Sequence, residues 1–381
     1  MERLVHVERA LLRAASHDVG GVLATTLWTH YSATDVELYL LDYQVSSLTP
    51  VLNADRERVP LSTSDIGRAL RERQVVSRPV VDGYEVCVPV VAKGNRVGVL
   101  TAHLPPGSDD DLGTELVELA EAVGSVVVVS DVMTDTYHRV RRSERLTVAA
   151  EIQWELLPGR GLSAPEFDLA GQLEPAYQLC GDNFDYSADA EYLTLTVTGG
   201  MGDGVDAALL TSLAINALRN ARRAGLPLAE QAALADQALW AQHGGNRYVS
   251  SLLMRFELAT GEVRVVDAGS PQAFLVRDRG ITPLTLDAQL PLGMFAETRY
   301  VEQRLTMRRG DRLLVLSDGV FDAVAEKRRY ADTALRRALT ASHGLSPGEA
   351  VRTVIADLLT FHGSAVLADD AVVVCLDWFG R

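Results

Sequence analysis

The sequence predicts an α+β protein built from two domains joined by a helical linker. Three observations carry this. At about 100–200 residues per domain, 381 residues are too many for one ordinary domain. Short β-rich runs and a glycine turn alternate with helical periodicity over the first 128 residues. Beyond Pro158-Gly159-Arg160-Gly161, strands cluster around a pair of helical blocks, which fits an α+β sandwich.

Taken in order, residues 5–27 place Val5, Leu11, Leu12, Val19, Val22 and Leu23 at helical spacing. Residues 36–41 (VELYLL) read as a strand, and 48–52 as its neighbour. Residues 64–73 read as a short helix with Ser64 or Thr63 as N-cap. Residues 85–91 and 97–103 form a hairpin around the turn Lys93-Gly94-Asn95-Arg96. Pro105-Pro106-Gly107-Ser108 and the acidic run Asp109–Asp111 then break the pattern. From Thr114 to about Leu157 there is no proline, and Gly124 is the sole glycine, so a long helix is expected, weakest in the valine-rich stretch 125–130. Val126, Met133, Val140, Thr147 and Trp154 recur every seven residues, while the companion positions Tyr137, Glu144 and Glu151 are mostly polar. Two readings stay open, a solvated connecting helix or a dimeric signalling helix. The expected division is 1–128, a linker 129–160, and 161–381.

In the last segment, strands are expected at 193–198, 251–257, 263–268, 273–277, 312–317 and 371–376. Helices are expected at 205–224, 228–240 and 348–361.

Charge and composition narrow the function. Lys and Arg number 36 and Asp and Glu 51, a net charge of −15. So acidic a surface repels phosphate backbones and anionic lipid heads, which excludes a nucleic-acid binder and a peripheral membrane protein. No apolar run reaches the ~20 residues that span a bilayer. Residues 1–18 carry an early acid, Glu2, and lack a solid apolar stretch, so no secretion signal is expected. Cys87, Cys180 and Cys375 are scattered and odd in number, with no zinc spacing, which points to a reduced, cytoplasmic setting.

Four acidic turns stand out: Cys180-Gly181-Asp182-Asn183-Phe184-Asp185, Gly199-Gly200-Met201-Gly202-Asp203-Gly204, Leu316-Ser317-Asp318-Gly319-Val320 and Ala368-Asp369-Asp370-Ala371. An aspartate at a strand end beside glycine can aim its carboxylate into a shared cleft while the backbone turns away. Carboxylates without histidine or thiolate partners select hard ions such as Mg²⁺ or Mn²⁺. Taken singly, an Asp-Gly is more often just a turn.

In order and context, these segments resemble the metal-dependent (type 2C, PPM) protein phosphatases, specifically their bacterial SpoIIE-type branch. Residues 149–158 (AAEIQWELLP) resemble the helix entering that domain, 174–182 (EPAYQLCGD) its first motif, and 310–320 (GDRLLVLSDGV) the segment with its third metal aspartate. Ala368-Asp369-Asp370 resembles the last motif, and Asp267-Ala268-Gly269-Ser270-Pro271 and Leu290-Pro291-Leu292-Gly293 match intervening landmarks. The resemblance covers about residues 145–378. It implies a β-sandwich flanked by helices with two Mn²⁺ or Mg²⁺ ions at one end, where a bridged water attacks a phosphoserine or phosphothreonine. Carried over, Asp182, Asp318 and Asp369 are the catalytic and metal positions, with Gly200 beside them in the metal set; Asp370 orients the turn. The implied substrate is a phosphorylated regulatory protein of the anti-sigma-factor-antagonist type. Residues 1–128 resemble a GAF-like sensor, with an unidentified small-molecule ligand and homodimer formation as expectations. Within it, Cys87, His30, His103, Trp28, Tyr39 and Tyr43 read as core or solvated residues before ligand contacts.

One departure matters. The family's second motif begins with an aspartate that bridges the ions, and here Gly199 occupies that register, fixed by Ala207-Ala208-Leu209-Leu210 behind it. Asp203 lies four residues on and reads as a helix-start acid. Ser270 stands where the family often has histidine. The sequence therefore supports a phosphatase with one or weakened ions, or a pseudophosphatase that binds a phosphorylated partner as a scaffold.

Overall fold

The computed structural model describes residues 2–106, 112–174, 181–269, 271–278, 280–325, 327–363, 367 and 369–381. The acidic run 109–111, Gly107 and Ser108, residues 175–180 of the first motif with Cys180, Ser270 and Ala368 lie outside the described residues. The chain divides into two compact units, 1–145 and 146–381.

The first unit begins with α1 (Glu2–Arg13) and α2 (Val19–Tyr31), so the helical pattern over 5–27 is two helices, not one. Ala15 takes an extended conformation (φ −63°, ψ 139°) and a 3₁₀ turn over Ser16–Asp18 redirects the chain. Leu4, Val7 and Leu11 of α1 and Val19, Leu23 and Leu27 of α2 then bury into one core. The sheet follows as β1 (Thr34–Leu41), β2 (Ser47–Pro50), β3 (Val59–Pro60), β4 (Val76–Val80), β5 (Gly83–Ala92) and β6 (Asn95–Leu104), with α3 (Asp65–Glu72) between β3 and β4. Its order is β3-β2-β1-β6-β5-β4, antiparallel throughout. Ser64 caps α3, its Oγ accepting the Gly67 N–H at 2.9 Å. With α4 (Leu112–Asp131), α1 and α2 cover one face, while α3 covers the other, where Tyr39 and Cys87 are buried. Burial pushes the Cys87 thiol up to about 12, the state of an inert core residue. Trp28 lies on the surface, 66% exposed.

The long helix expected over 114–157 is divided into α4, α5 (Thr136–Arg141) and α6 (Val148–Leu156). The Met133 N–H closes a turn on the Ser130 carbonyl at 2.9 Å. Tyr137 turns back into the first core, its hydroxyl donating to the Ser16 carbonyl at 2.6 Å. Thr147 starts α6 afresh, its Oγ1 accepting the Ala150 N–H at 3.2 Å. The heptad positions therefore do not lie on one continuous helix. Val126 and Val140 pack on the first core, Met133 is exposed and Thr147 is a cap. The coiled-coil seam is thus corrected: tertiary burial of Tyr137 and Val140 overrides a repeat whose companion positions were polar.

The second unit contains α6, β7 (Gly161–Ala164), β8 (Phe167–Glu174), β9 (Asn183–Ala188), β10 (Tyr192–Gly200), α7 (Gly204–Arg223), α8 (Leu228–His243), β11 (Val249–Glu257) and β12 (Glu262–Ala268). It continues with β13 (Gln272–Arg277), β14 (Gly280–Pro283), β15 (Gln303–Thr306), β16 (Arg312–Leu316), α9 (Asp318–Phe321), β17 (Val324–Ala325), β18 (Arg328–Arg329), α10 (Tyr330–Thr333), α11 (Leu335–Ala341), α12 (Pro347–His362) and β19 (Ala371–Trp378). One sheet runs β15-β12-β11-β10-β9 and the other β14-β13-β16-β19-β8-β7. They face each other. A Cβ on Gly171 of β8 would meet the Phe184 ring of β9 at 2.7 Å, and Phe256 of β11 stacks with Trp378 of β19, centroids 6.0 Å apart. Alternation in β11 sends Leu253 outward under α7 and α8. On the far side, α10, α11 and α12 pack over β16 and β19. The result is a sandwich with a helical layer on each outer face.

Candidate metal centre at the strand ends

Every acidic turn named from the sequence lies where a strand of the sandwich begins or ends. Gly181 and Asp182 precede β9, Gly199 and Gly200 end β10, Asp318 follows β16, and Asp369 and Asp370 precede β19. Antiparallel pairing of β9 with β10 and of β16 with β19 brings these ends together: Thr198 pairs with Asn183, and Leu316 with Val373.

Backbone hydrogen bonds hold the turns. The Asp370 carboxylate accepts the N–H groups of Gly181 (2.8 Å) and Asp182 (3.2 Å), so it orients the first turn from across the sandwich. The Gly181 carbonyl accepts the Gly200 N–H (3.1 Å) and the hydroxyl of buried Thr211 on α7 (2.6 Å). Ser317 accepts the Val372 N–H on its Oγ (2.9 Å) while its own N–H donates to the Val372 carbonyl (3.0 Å). The chain packs so closely that a Cβ on Gly319 would sit 1.7 Å from the Asp370 carbonyl oxygen, and one on Gly200 would sit 2.2 Å from Thr211 Oγ1. Glycine is obligatory at both positions.

Gly199 differs. A Cβ there would lie 3.4 Å from Asp182 Oδ1 and 3.9 Å from Asp318 Oδ1, ordinary contacts with nothing else within 4 Å among the described residues. The position faces two of the predicted ligands, in strand backbone that accepts any residue. Asp203 is not among the atoms around that point; it is exposed, in the N-cap position of α7, with no side-chain cap bond.

The electrostatics are those of crowded carboxylates. Asp182 is 4% exposed and its Oδ2 has no hydrogen-bond partner among the described residues. Burial, then Asp370 and Asp318, hold its carboxyl well above the usual range. Asp369 is raised by desolvation and by Asp318, although much of the residue's surface is exposed. Asp318 and Asp369 line a cleft of about 350 Å³ with Asp322, His362 and Leu367. A buried, unpartnered oxygen amid like charges suits a divalent cation. The donor set is nonetheless short: among the described residues no three His, Cys, Asp or Glu side chains converge on one ion. Gly200 can offer only its carbonyl. The residues fit a cation beside Asp182 and Asp318 and fall one carboxylate short of the expected two-ion centre.

Thr211 escaped the sequence reading, because it acts on a backbone atom and carries no charge, while Ser317 and Gly319 were named only as parts of the turn around Asp318. Their one legible signal was proximity, Ser317 and Gly319 flanking an aspartate.

Comparison with known proteins bears on the family and the fold of the second unit. Residues 189–379 match the family described as Stage II sporulation protein E (SpoIIE). The phosphoserine phosphatase RsbU of Bacillus subtilis is 20% identical over 230 residues, 60% of this chain and 69% of that protein. The PP2C phosphatase domain of SpoIIE from Bacillus subtilis, with a fragment of its regulatory domain, superposes with a TM-score of 0.50 at 18% identity, covering 57% of this chain and 66% of that one. The SiaA-PP2C domain of Pseudomonas aeruginosa gives 0.50 at 20% identity, covering 60% and 93%. The two structural likenesses concern the fold.

Proposed function

The chain belongs to the SpoIIE family, and from that premise we propose that its second unit is a phosphoserine- and phosphothreonine-directed protein phosphatase of low turnover. The observation that carries the second half of this statement is Gly199. It sits in contact range of Asp182 and Asp318, where a carboxylate would join them, and brings none.

Asp182, Asp318 and Asp369, with the Gly200 carbonyl, are the groups that would hold Mn²⁺ or Mg²⁺. The chemistry such an ion supplies is neutralisation of phosphoryl charge and acidification of a water. The chain's own part is positional. Asp370 and Thr211 fix the Gly181–Asp182 turn, Ser317 fixes the start of β19, and the cleft beside Asp318 and Asp369 admits a phosphoryl group. Without a carboxylate at 199, cation affinity and turnover both fall. At the limit of no turnover the same surface binds a phosphorylated partner without releasing phosphate, the pseudophosphatase reading.

The substrate class in this reading is a phosphorylated regulatory protein such as an anti-sigma-factor antagonist, met in the cytoplasm. The first unit acts as a GAF-like sensor for a small molecule, and the protein works as a homodimer. The net charge of −15 argues against nucleic acid as a partner, and no helix among the described residues is long and apolar enough to cross a membrane.

The test is Mn²⁺-dependent hydrolysis of p-nitrophenyl phosphate and of a phosphoserine protein by the native chain and by Gly199→Asp. Outer-shell groups at metal sites are worth about 10–100-fold, and a direct ligand at least that, so the variant is expected to be faster by that factor or more. Equal rates would overturn the low-turnover reading; absence of hydrolysis in both would overturn the ligand assignment.

A further inference from the structure

We propose that the β17–β18 hairpin, at the rim of the cleft, reads acidic residues flanking the phosphoserine of the substrate through Lys327, Arg328 and Arg329. The inference rests on the reading of the cleft as a phosphoserine site. It adds which kind of substrate segment that site prefers.

Three observations carry this. First, the hairpin is built into the cleft wall. Asp322, Ala323 and Val324 line the cleft together with Asp318 and Asp369. Val324 pairs with Arg329 and Ala325 with Arg328, which places the Arg329 backbone about 5 Å across the ladder from a lining residue. The Arg329 guanidinium also pairs with the carboxylate of Asp322, a second lining residue. Second, the base of the hairpin is anchored. Buried Tyr330 donates its N–H to the Ala323 carbonyl at 2.8 Å and its hydroxyl to Asp357 of α12 at 2.9 Å. The cations are thereby carried on a fixed element. Third, the local charge opposes the overall one. Lys327, Arg328 and Arg329 are consecutive and exposed, and Glu326 before them lies outside the described residues. The cleft itself presents Asp318, Asp322 and Asp369, and the chain carries −15. An acidic segment is therefore repelled by the chain's net charge and attracted at this rim. The Arg329–Asp322 pair leaves that attraction available. Its side chains are 50% and 52% exposed, and exposed pairs hold by no more than about 5-fold, so a substrate carboxylate can take the place of Asp322.

The experiment is fluorescence anisotropy of the full chain in Mn²⁺ buffer with three labelled peptides. Two carry a phosphonate analogue of phosphoserine, which hydrolysis cannot consume, flanked by aspartates in one and by alanines in the other. The third has plain serine flanked by aspartates. The acidic phosphonate peptide should bind about 3–10-fold tighter than the neutral one, from two or three exposed pairs. That advantage should fade as sodium chloride rises from about 0.1 M to about 1 M, where the screening length falls from about 10 Å to about 3 Å. Lys327→Glu combined with Arg328→Glu should abolish or invert the preference and still bind the neutral phosphonate peptide. Arg328→Lys keeps the charge and should keep the preference.

Equal affinity of the native chain for the two phosphonate peptides overturns the proposal. So does a preference that survives the charge reversal, a reversal variant that loses both peptides equally, or loss of the preference in Arg328→Lys. If the acidic phosphonate peptide binds no better than the acidic serine peptide, the cleft is not a phosphoserine site, and the proposed function falls with this inference. If the phosphonate is required but its flanks do not matter, this inference alone falls.

Discussion

Adding one methyl group at each of two adjacent glycines should have opposite consequences. In Gly199→Ala the new Cβ meets carboxylate oxygens at 3.4 and 3.9 Å, which is ordinary contact. The loss of unfolded-state freedom favours the variant by about 0.4–1 kcal/mol, offset by the methyl's shielding of Asp182 from water, so the net change is within about 1 kcal/mol. In Gly200→Ala the Cβ falls 2.2 Å from Thr211 Oγ1 and 2.7 Å from the Gly181 carbonyl oxygen. Relief requires breaking the bonds from Thr211 and from the Gly200 N–H to that carbonyl, each worth about 1 kcal/mol, and shifting a buried strand end, which costs about 1–3 kcal/mol. The expected loss is about 3–5 kcal/mol. At a urea slope of about 3 kcal/mol/M, the unfolding midpoint of the second unit drops by about 1 M or more in Gly200→Ala and barely moves in Gly199→Ala. Urea titration followed by tryptophan fluorescence reads both. If Gly199→Ala loses as much as Gly200→Ala, position 199 is not the open one, and every inference drawn from the gap there fails.

Asp182→Asn should stabilise the chain in EDTA with a definite pH dependence. Burial and its acidic neighbours raise the native Asp182 carboxyl above its unfolded value, so the native state holds the proton longer than the unfolded state does. Native stability therefore falls as pH rises from about 4, near the unfolded value, through the native one. The Asn variant escapes this loss, so its advantage is near zero at pH 4 and grows to a plateau, about 1.4 kcal/mol for each tenfold change in proton affinity. Thermal melts from pH 4 to 8 check it; an advantage greatest at pH 4 would reverse the assignment. Asp185→Ala should cost about 3–5 kcal/mol. The buried carboxylate accepts from Arg219 Nε (3.2 Å) and Nη2 (2.7 Å) and from Arg222 Nη1 (2.9 Å), and its loss leaves two partly buried cations uncompensated. The urea midpoint reads this too, and a change under 1 kcal/mol would show the pair to be dispensable.

What the sequence disclosed and what it withheld follow one physical line. Strands β10, β11, β12, β16 and β19 were legible because apolar β-branched runs state their burial. Strand β8 was not read. All its residues are buried, yet it carries Asp168, Gln172 and Glu174, so its composition resembles a loop. Strand β4 was passed over for the opposite reason, being an edge strand with Arg78 and Pro79, nearly all of it exposed. The linker was misread because a heptad count measures spacing and cannot see that Tyr137 is drawn into the first core. At the site, the aspartates were found because four acidic turns follow one another in the order and context of the SpoIIE-type motifs. The groups that hold them were not, since a threonine reaching a carbonyl 30 residues away leaves no local pattern.

That division bears on why the site keeps its shape without a full ligand set. If a cation held the four turns together, removing the bridging carboxylate would let them separate, and Gly199 would mark a ruin. The bonds show otherwise. Asp370 binds two amides of the Gly181–Asp182 turn, Thr211 and the Gly200 N–H converge on one carbonyl, and Ser317 spans β16 and β19, all without any ion. The turns are preorganised by the chain itself. The cost of that preorganisation is the crowding of Asp182, Asp318 and Asp369, present whether or not a cation relieves it. An aspartate at 199 would add a further carboxylate to that repulsion, so glycine there leaves the scaffold intact and spares the fold that cost. A carboxylate introduced at position 199 therefore needs no rebuilding of the surroundings, since a Cβ there meets only ordinary contacts with Asp182 and Asp318 among the described residues.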